Sequence, residues 1–224
     1  MDSSAISTKD QQQALLQLLK EMSIVFWGPD QEKCVALLKE SVFHPFEKIS
    51  ALPGFQISKT LTEIKSVLKK FTSADALYLY LEEAYVRLFL SDIKGVTAPL
   101  YASCYANTKS GEKGLLMGEP AIDMKSRFES KGLSLSNEIH EPPDHISIEL
   151  EYLYFLLAKG WSDGDKDLIN EASTFAAEVM LPWVSEFQAR LVVEKECRFY
   201  PLMASILAAI LEIIAGFDRN FEKG

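Results

Sequence analysis

The run Glu141-Pro142-Pro143-Asp144-His145 puts two carboxylates, two prolines and a histidine into five consecutive residues. The prolines take Glu141 and Pro142 out of the helical conformation, and an apolar helix is expected to open directly behind them, from Ile146 on. Asp144 and His145 are therefore predicted at or near its first turn. Asp144 is either a cap accepting a free backbone N–H there or a carboxylate held for a ligand. A histidine beside the positive end of a helix favours neutral imidazole, which can both donate and accept. A rigid, polar, partly exposed hinge of this kind is a place to hold a ligand.

Other chemistries fit the residues poorly. His140-Glu141-Pro142-Pro143-Asp144-His145 superficially resembles a zinc protease motif. That motif needs its histidines four residues apart on one helical face, whereas here they are five apart across a helix-breaking pair. No G-x-S-x-G elbow and no G-x-x-x-x-G-K-[ST] phosphate loop is present, and Gly111-Glu112-Lys113-Gly114 reads as a turn. Cys34, Cys104 and Cys197 lie far apart with no metal or disulfide spacing, which suggests reduced residues in a reducing compartment.

The bulk numbers narrow the class. Of 224 residues, 48 % are apolar and 25 % charged, a globular composition long enough for a sizeable core. A net charge of -9 argues against nucleic acid, whose phosphates require a basic face. The N-terminal sequence is polar, and the longest apolar run, Leu202 to Leu211, is too short for a bilayer. The expectation is a cytoplasmic protein with no membrane insertion.

The elements that must position the hinge read as helices almost throughout. The first is predicted from Ser7 or Thr8 to about Phe26, stopped by Gly28-Pro29, and a second from Asp30 to about Val42, before His44-Pro45. Leu61, Ile64, Leu68 and Phe71 form one stripe of a helix that Ser58 could cap. Leu77, Leu81, Tyr85, Leu88 and Phe89 continue the pattern. From Ser91 to Gly118 a long structured loop is expected, with a helical turn around Tyr101 to Tyr105. Helices are then predicted over 119–130, 144–159, 166–181, 182–193 and 197–215, with Pro182 starting a helix or kinking a long one. Alternating β-branched runs are missing, so the fold class is all-α, a bundle of about ten helices. Tyrosines and phenylalanines cluster at Tyr78, Tyr80, Tyr85, Phe89, Tyr101, Tyr105, Tyr152, Tyr154 and Phe155. An apolar groove rimmed by such rings suits a peptide.

Five segments, in order, resemble the cytoplasmic chaperones dedicated to molybdoenzymes, the TorD/DmsD/NarJ family. They are Glu83-Ala84-Tyr85-Val86-Arg87-Leu88-Phe89, Pro99-Leu100-Tyr101-Ala102-Ser103-Cys104-Tyr105, Leu115-Leu116-Met117-Gly118-Glu119, and Glu141 to His145 with the helix behind it. The fifth pairs Leu181-Pro182-Trp183-Val184 with Phe199-Tyr200-Pro201-Leu202. The resemblance implies two helical subdomains joined at the hinge, 1–118 and 119–224, within one family-wide domain. It implies a non-enzymatic protein that binds the twin-arginine signal peptide and apo form of a molybdopterin-containing oxidoreductase. The client would be held for cofactor insertion before export. No cofactor of its own is implied, beyond weak guanine nucleotide binding in some members, and the family includes monomers and domain-swapped dimers. Carried over, Tyr85, Leu88 and Phe89 form the apolar side of the groove. Gly118, Pro142, Asp144 and His145 form its hinge side, with Glu141 as a second carboxylate. Tyr85 stands where tryptophan is frequent, and Leu90-Ser91 replaces a common glycine. Two other classes compete: an all-helical adaptor whose hinge only connects bundles, and a metal-dependent hydrolase using the His140–His145 cluster.

Overall fold

The structure, a computed structural model, describes Ile6 and residues 8–52, 55–90, 95–106 and 116–217. Ser7 and, within the long loop, residues 91–94 and 107–115 with the Gly111–Gly114 turn lie outside the described residues. Within them the fold is all-α, with ten α-helices and only a single-residue bridge between Tyr101 and His145.

Helix α1 (Lys9–Phe26) opens on a capping box, in which Thr8 and Gln11 satisfy each other's backbone N–H groups. Helix α2 (Gln31–Leu37) starts behind Asp30, whose side chain accepts from the Lys33 N–H. A 3₁₀ turn (Glu40–Phe43) then leads into α3 (His44–Ser50), where the sequence reading had no helix. Pro45 lies in the first turn of α3, where no N–H is needed, so it starts a helix, while α2, expected to reach about Val42, already ends at Leu37. In α4 (Ser58–Leu68), Leu61, Ile64 and Leu68 form the buried stripe, but Ser58 is the first helical residue and Ile57 stands at the cap. Phe71 falls beyond the helix end.

Helix α5 (Ala74–Tyr85) runs into a π-helical turn, Val86–Leu90. Helices α6 (Glu119–Ser130) and α7 (Ile146–Asp163) follow. The last third holds α8 (Lys166–Thr174), a second π turn (Phe175–Met180), α9 (Leu181–Leu191) and α10 (Phe199–Ile214). Pro182 cannot donate to the carbonyl four residues back, so the α-helical ladder cannot run unbroken from α8 into α9. The chain widens into a π turn just before it.

Helix α1 packs along α7, α4 against α10, and α9 against α10. Residues from 1–118 and from 119–224 thus contribute to one continuous apolar core, reaching from Ile6 to Phe217. Small side chains let α1 and α7 come close: the Ser23 hydroxyl donates to the Ser147 carbonyl (3.3 Å) and the Ser147 hydroxyl to the Ser23 carbonyl (2.9 Å). That pair sets the C-terminal end of α1 over the start of α7.

Candidate functional site

The Pro-Pro turn is pinned to the segment 100–103 by backbone bonds. The Ala102 N–H donates to the Asp144 carbonyl at 3.1 Å, and the Ile146 N–H to the Leu100 carbonyl at 2.8 Å. Ile146 begins α7, so Leu100 takes one of the donors a helix leaves unpaired at its start. The His145 N–H closes the turn onto the Pro142 carbonyl at 3.0 Å.

Asp144 is not the cap of α7. Its side chain is 0 % exposed, and Oδ2 accepts from the Ser103 N–H at 2.8 Å, so it braces the loop instead. The cap is His145, whose Nδ1 accepts from the Ser147 N–H at 3.2 Å. An accepting Nδ1 leaves the ring proton on Nε2 and the imidazole neutral. Burial agrees, holding the His145 pKa down at about 4.

Around His145 the aromatic residues converge from three distant segments. Trp27, at the end of α1, stacks on the imidazole with centroids 4.8 Å apart, and Tyr101 meets it edge-on at 5.2 Å. The indole N–H of Trp27 donates to Glu151 Oε1 (3.1 Å), which also accepts from Ser23, so α7 fixes the ring's orientation. The Tyr101 hydroxyl donates to Glu141 Oε2 at 2.6 Å. Tyr85 donates to the Phe26 carbonyl at 3.1 Å and feels the Glu141 charge, which, after burial, helps push its phenol pKa up. Trp27, Tyr85, Tyr101, Glu141 and Pro142 are all half-buried, so they form the reachable surface of the turn.

Beneath this surface lies a polar core. Glu149 is fully buried, with Oε2 accepting from the Trp183 indole at 3.0 Å. Glu149 Oε1, Asp144 Oδ1 and the Ser103 hydroxyl have no hydrogen-bond partner among the described residues. Burial raises the Glu149 pKa well above the ordinary carboxyl value, and nearby Asp144 adds to the rise.

The structure thus brings together Tyr85, Glu141, Pro142, Asp144 and His145, but at different depths. Asp144 as a direct partner for a guanidinium does not hold here, because its carboxylate is enclosed and bonded to Ser103. Leu88 and Phe89 are 1 % and 2 % exposed. They belong to the core rather than to a groove wall; Phe89 packs among Phe26, Tyr85, Phe187 and Tyr200. Gly118 is the N-cap of α6, a helix that packs against the 102–104 turn. Trp27, Ser103 and Glu149 were absent from the site read off the sequence. Their only sequence signals are a tryptophan at a Gly-Pro helix stop, the Ser of the Pro-x-aromatic-x-Ser loop, and a carboxyl inside an apolar helix. His140 is exposed while His145 is buried, and among the described residues no His, Cys, Asp or Glu group could hold a metal ion.

The family model described as nitrate reductase delta subunit matches residues 56–189. A TorD chaperone protein of Photobacterium profundum is 27 % identical over 203 residues, 86 % of this chain and 92 % of that protein. One from Vibrio atlanticus is 27 % identical over 199 residues, 84 % and 90 % of the two chains. In fold, the chain is similar to a crystal structure from Archaeoglobus fulgidus of a protein thought to act in redox enzyme maturation. The TM-score is 0.51 at 24 % identity, covering 88 % of this chain and 93 % of that one. A matched model spanning more than half the chain, relatives aligned nearly end to end and a shared all-helical fold lead to one assignment: the chain belongs to the nitrate reductase delta subunit family, as a chaperone of the TorD kind and not an enzyme.

Proposed function

We propose that this protein is a dedicated maturation chaperone. It binds the arginine-bearing leader, of the twin-arginine kind, and the apo form of a molybdopterin-containing oxidoreductase, and holds the client in the cytoplasm for cofactor insertion before export. The observation that carries the leader-binding reading is Glu141. It is the half-buried carboxylate of the Pro-Pro turn, held by the Tyr101 hydroxyl at 2.6 Å and close enough to the half-buried Tyr85 phenol to act on it, with Trp27 stacked on the neighbouring His145. A guanidinium pairs with a carboxylate and stacks on aromatic faces, so one such site can serve both preferences. Asp144 and Ser103 act one layer below, fixing the backbone that presents Glu141.

Titration of a labelled peptide bearing two adjacent arginines tests this reading. Glu141→Gln keeps the shape of the turn and removes the charge. A charge-assisted hydrogen bond contributes about 1.5–3 kcal/mol, so the affinity should fall by about tenfold or more. Asp144→Ala should act on stability first, since it orphans a buried N–H at about 1–3 kcal/mol. Unchanged affinity in a folded Glu141→Gln protein would remove the turn from peptide recognition and leave the adaptor reading standing.

A further inference from the structure

An apolar cavity of about 390 Å³ lies away from the Pro-Pro turn, between α1, α2, α5 and α10. Ile24, Val25, Leu37, Leu81, Phe199 and Tyr200 line it, and Cys34 is on its wall. Cys34 is 0 % exposed and burial pushes its thiol up to about 11, so it offers no nucleophile and the cavity is chemically passive. The mouth is acidic: Glu21, Asp30 and Glu32 stand there with one cation, Lys33. That ammonium is already engaged, with the Gly28 carbonyl at 2.7 Å and Asp30 at 3.2 Å. The cavity volume is within the range of pockets that enclose ligand groups, and its wall asks for aliphatic ones.

The cavity and the Pro-Pro turn share the segment Trp27-Gly28-Pro29. Trp27 stacks on His145, while Gly28 and Pro29 line the cavity. Tyr85 packs against the same segment, since a Cβ on Gly28 would meet its ring carbons at 3.2–3.5 Å. A chain whose arginines lie at Glu141 therefore needs to pass only this one turn to reach an apolar recess with an acidic lip.

We propose that this cavity is a second binding site, which takes aliphatic side chains of the client leader from the stretch following its arginines. This rests on the reading of Glu141 above. The charge argues for that occupant: beside the Lys33–Asp30 pair, the carboxylates of Glu21 and Glu32 leave the mouth net negative, which favours an apolar segment flanked by basic residues. A second copy of this acidic chain would bring like charge to the same mouth.

Two labelled synthetic peptides test the assignment. Both begin with two adjacent arginines; one continues with an alternating leucine–alanine stretch, the other with glycine–serine. The wild-type protein is expected to bind the aliphatic peptide about tenfold more tightly, as burial of apolar side chains would give. Ala36, half-buried on α2 and lining the cavity, offers a way to fill it. Ala36→Trp should abolish the aliphatic preference and leave the glycine–serine peptide unaffected, whereas Glu141→Gln should weaken both equally. An intact preference in folded Ala36→Trp overturns the second site alone. A Glu141→Gln protein that binds both peptides normally overturns the reading on which it rests, and so does a wild-type protein that binds neither. A photo-crosslinking residue in the aliphatic stretch, used with the unmodified protein, should label α1 and α2. Labelling confined to 99–105 and 141–145 overturns the proposal without any variant having to fold. A dimer that Ala36→Trp converts to monomer would overturn it too, naming a second copy as the occupant.

Discussion

At the scale of single residues, two neutral buried groups set the pH behaviour with opposite signs. His145 titrates at about 4 in the folded chain against 6.5 in a free side chain. Between those values the unfolded chain binds a proton that the folded one refuses, so the stability linked to His145 is present above about pH 6.5 and lost as pH falls toward 4. The difference corresponds to about 3 kcal/mol. Glu149 does the reverse. Its folded pKa lies well above 4.5, because of burial and the nearby carboxyls of Asp144 and Asp123, against which the Trp183 hydrogen bond and Arg127 work. Above pH 4.5 the unfolded chain releases a proton that the folded one keeps, so the linked stability declines as pH rises toward the folded pKa. Above pH 4.5 the Glu149 slope opposes the His145 slope, so the two groups offset each other in part until the His145 contribution is complete near pH 6.5. Glu149→Gln keeps an amide oxygen for Trp183 and removes one slope. Urea melts of that variant should show higher stability at about pH 8 and a rising limb between about 4 and 6.5. A profile like that of the parent would mean that Glu149 is not the neutral group.

At the scale of elements, the turn after α1 does the positioning. Gly28 has φ +95°, a conformation L side chains rarely adopt, and its missing Cβ leaves room for the Tyr85 ring. That ring is tied to the Phe26 carbonyl and so cannot simply swing away. Gly28→Ala should cost about 1–3 kcal/mol and lower the Tm by roughly 5 °C for a chain of this size. It should also displace Tyr85 and so weaken arginine-peptide binding; a thermal midpoint equal to the parent's would refute the packing argument. Such turns explain what was legible in the sequence. Gly28-Pro29 announces a helix stop, and the 119–130 helix lies where its residues predict it. Helical periodicity exposes the buried stripes of α4 and α5. Depth is harder to read: Leu88, Phe89 and Asp144 carry the right residue types for a site, but periodicity on one helix cannot say which neighbour covers it. Trp27 over His145 joins residues 118 positions apart. Only the Ser23–Ser147 approach of α1 and α7 creates that stack, and nothing local encodes it. Likewise Asp144 reads as a cap because it precedes a helix, but the bridge between Tyr101 and His145 turns its carboxylate toward Ser103.

At the scale of the whole molecule, charge and core act on different steps of binding. One shared core holds α1, α7 and α10 together, so the groups that face a leader are preorganised and the contacts at Glu141 should govern how long a peptide stays. The net charge of -9 acts earlier, at encounter, by drawing a basic segment toward an acidic protein. Exposed charges are screened over about 10 Å at ~0.1 M salt, whereas half-buried pairs are screened less. Stopped-flow measurements with the arginine–aliphatic peptide should therefore show the association rate falling about tenfold between ~0.05 and ~0.5 M salt, with the dissociation rate changing far less. Glu141→Gln should show the complementary pattern, with faster dissociation and a nearly parental salt slope, because removing one of 32 carboxylates barely alters the overall field. If salt acted mainly on dissociation, the arginines would be held by exposed surface pairs, and the half-buried carboxylate of the Pro-Pro turn would lose its place as the anchor.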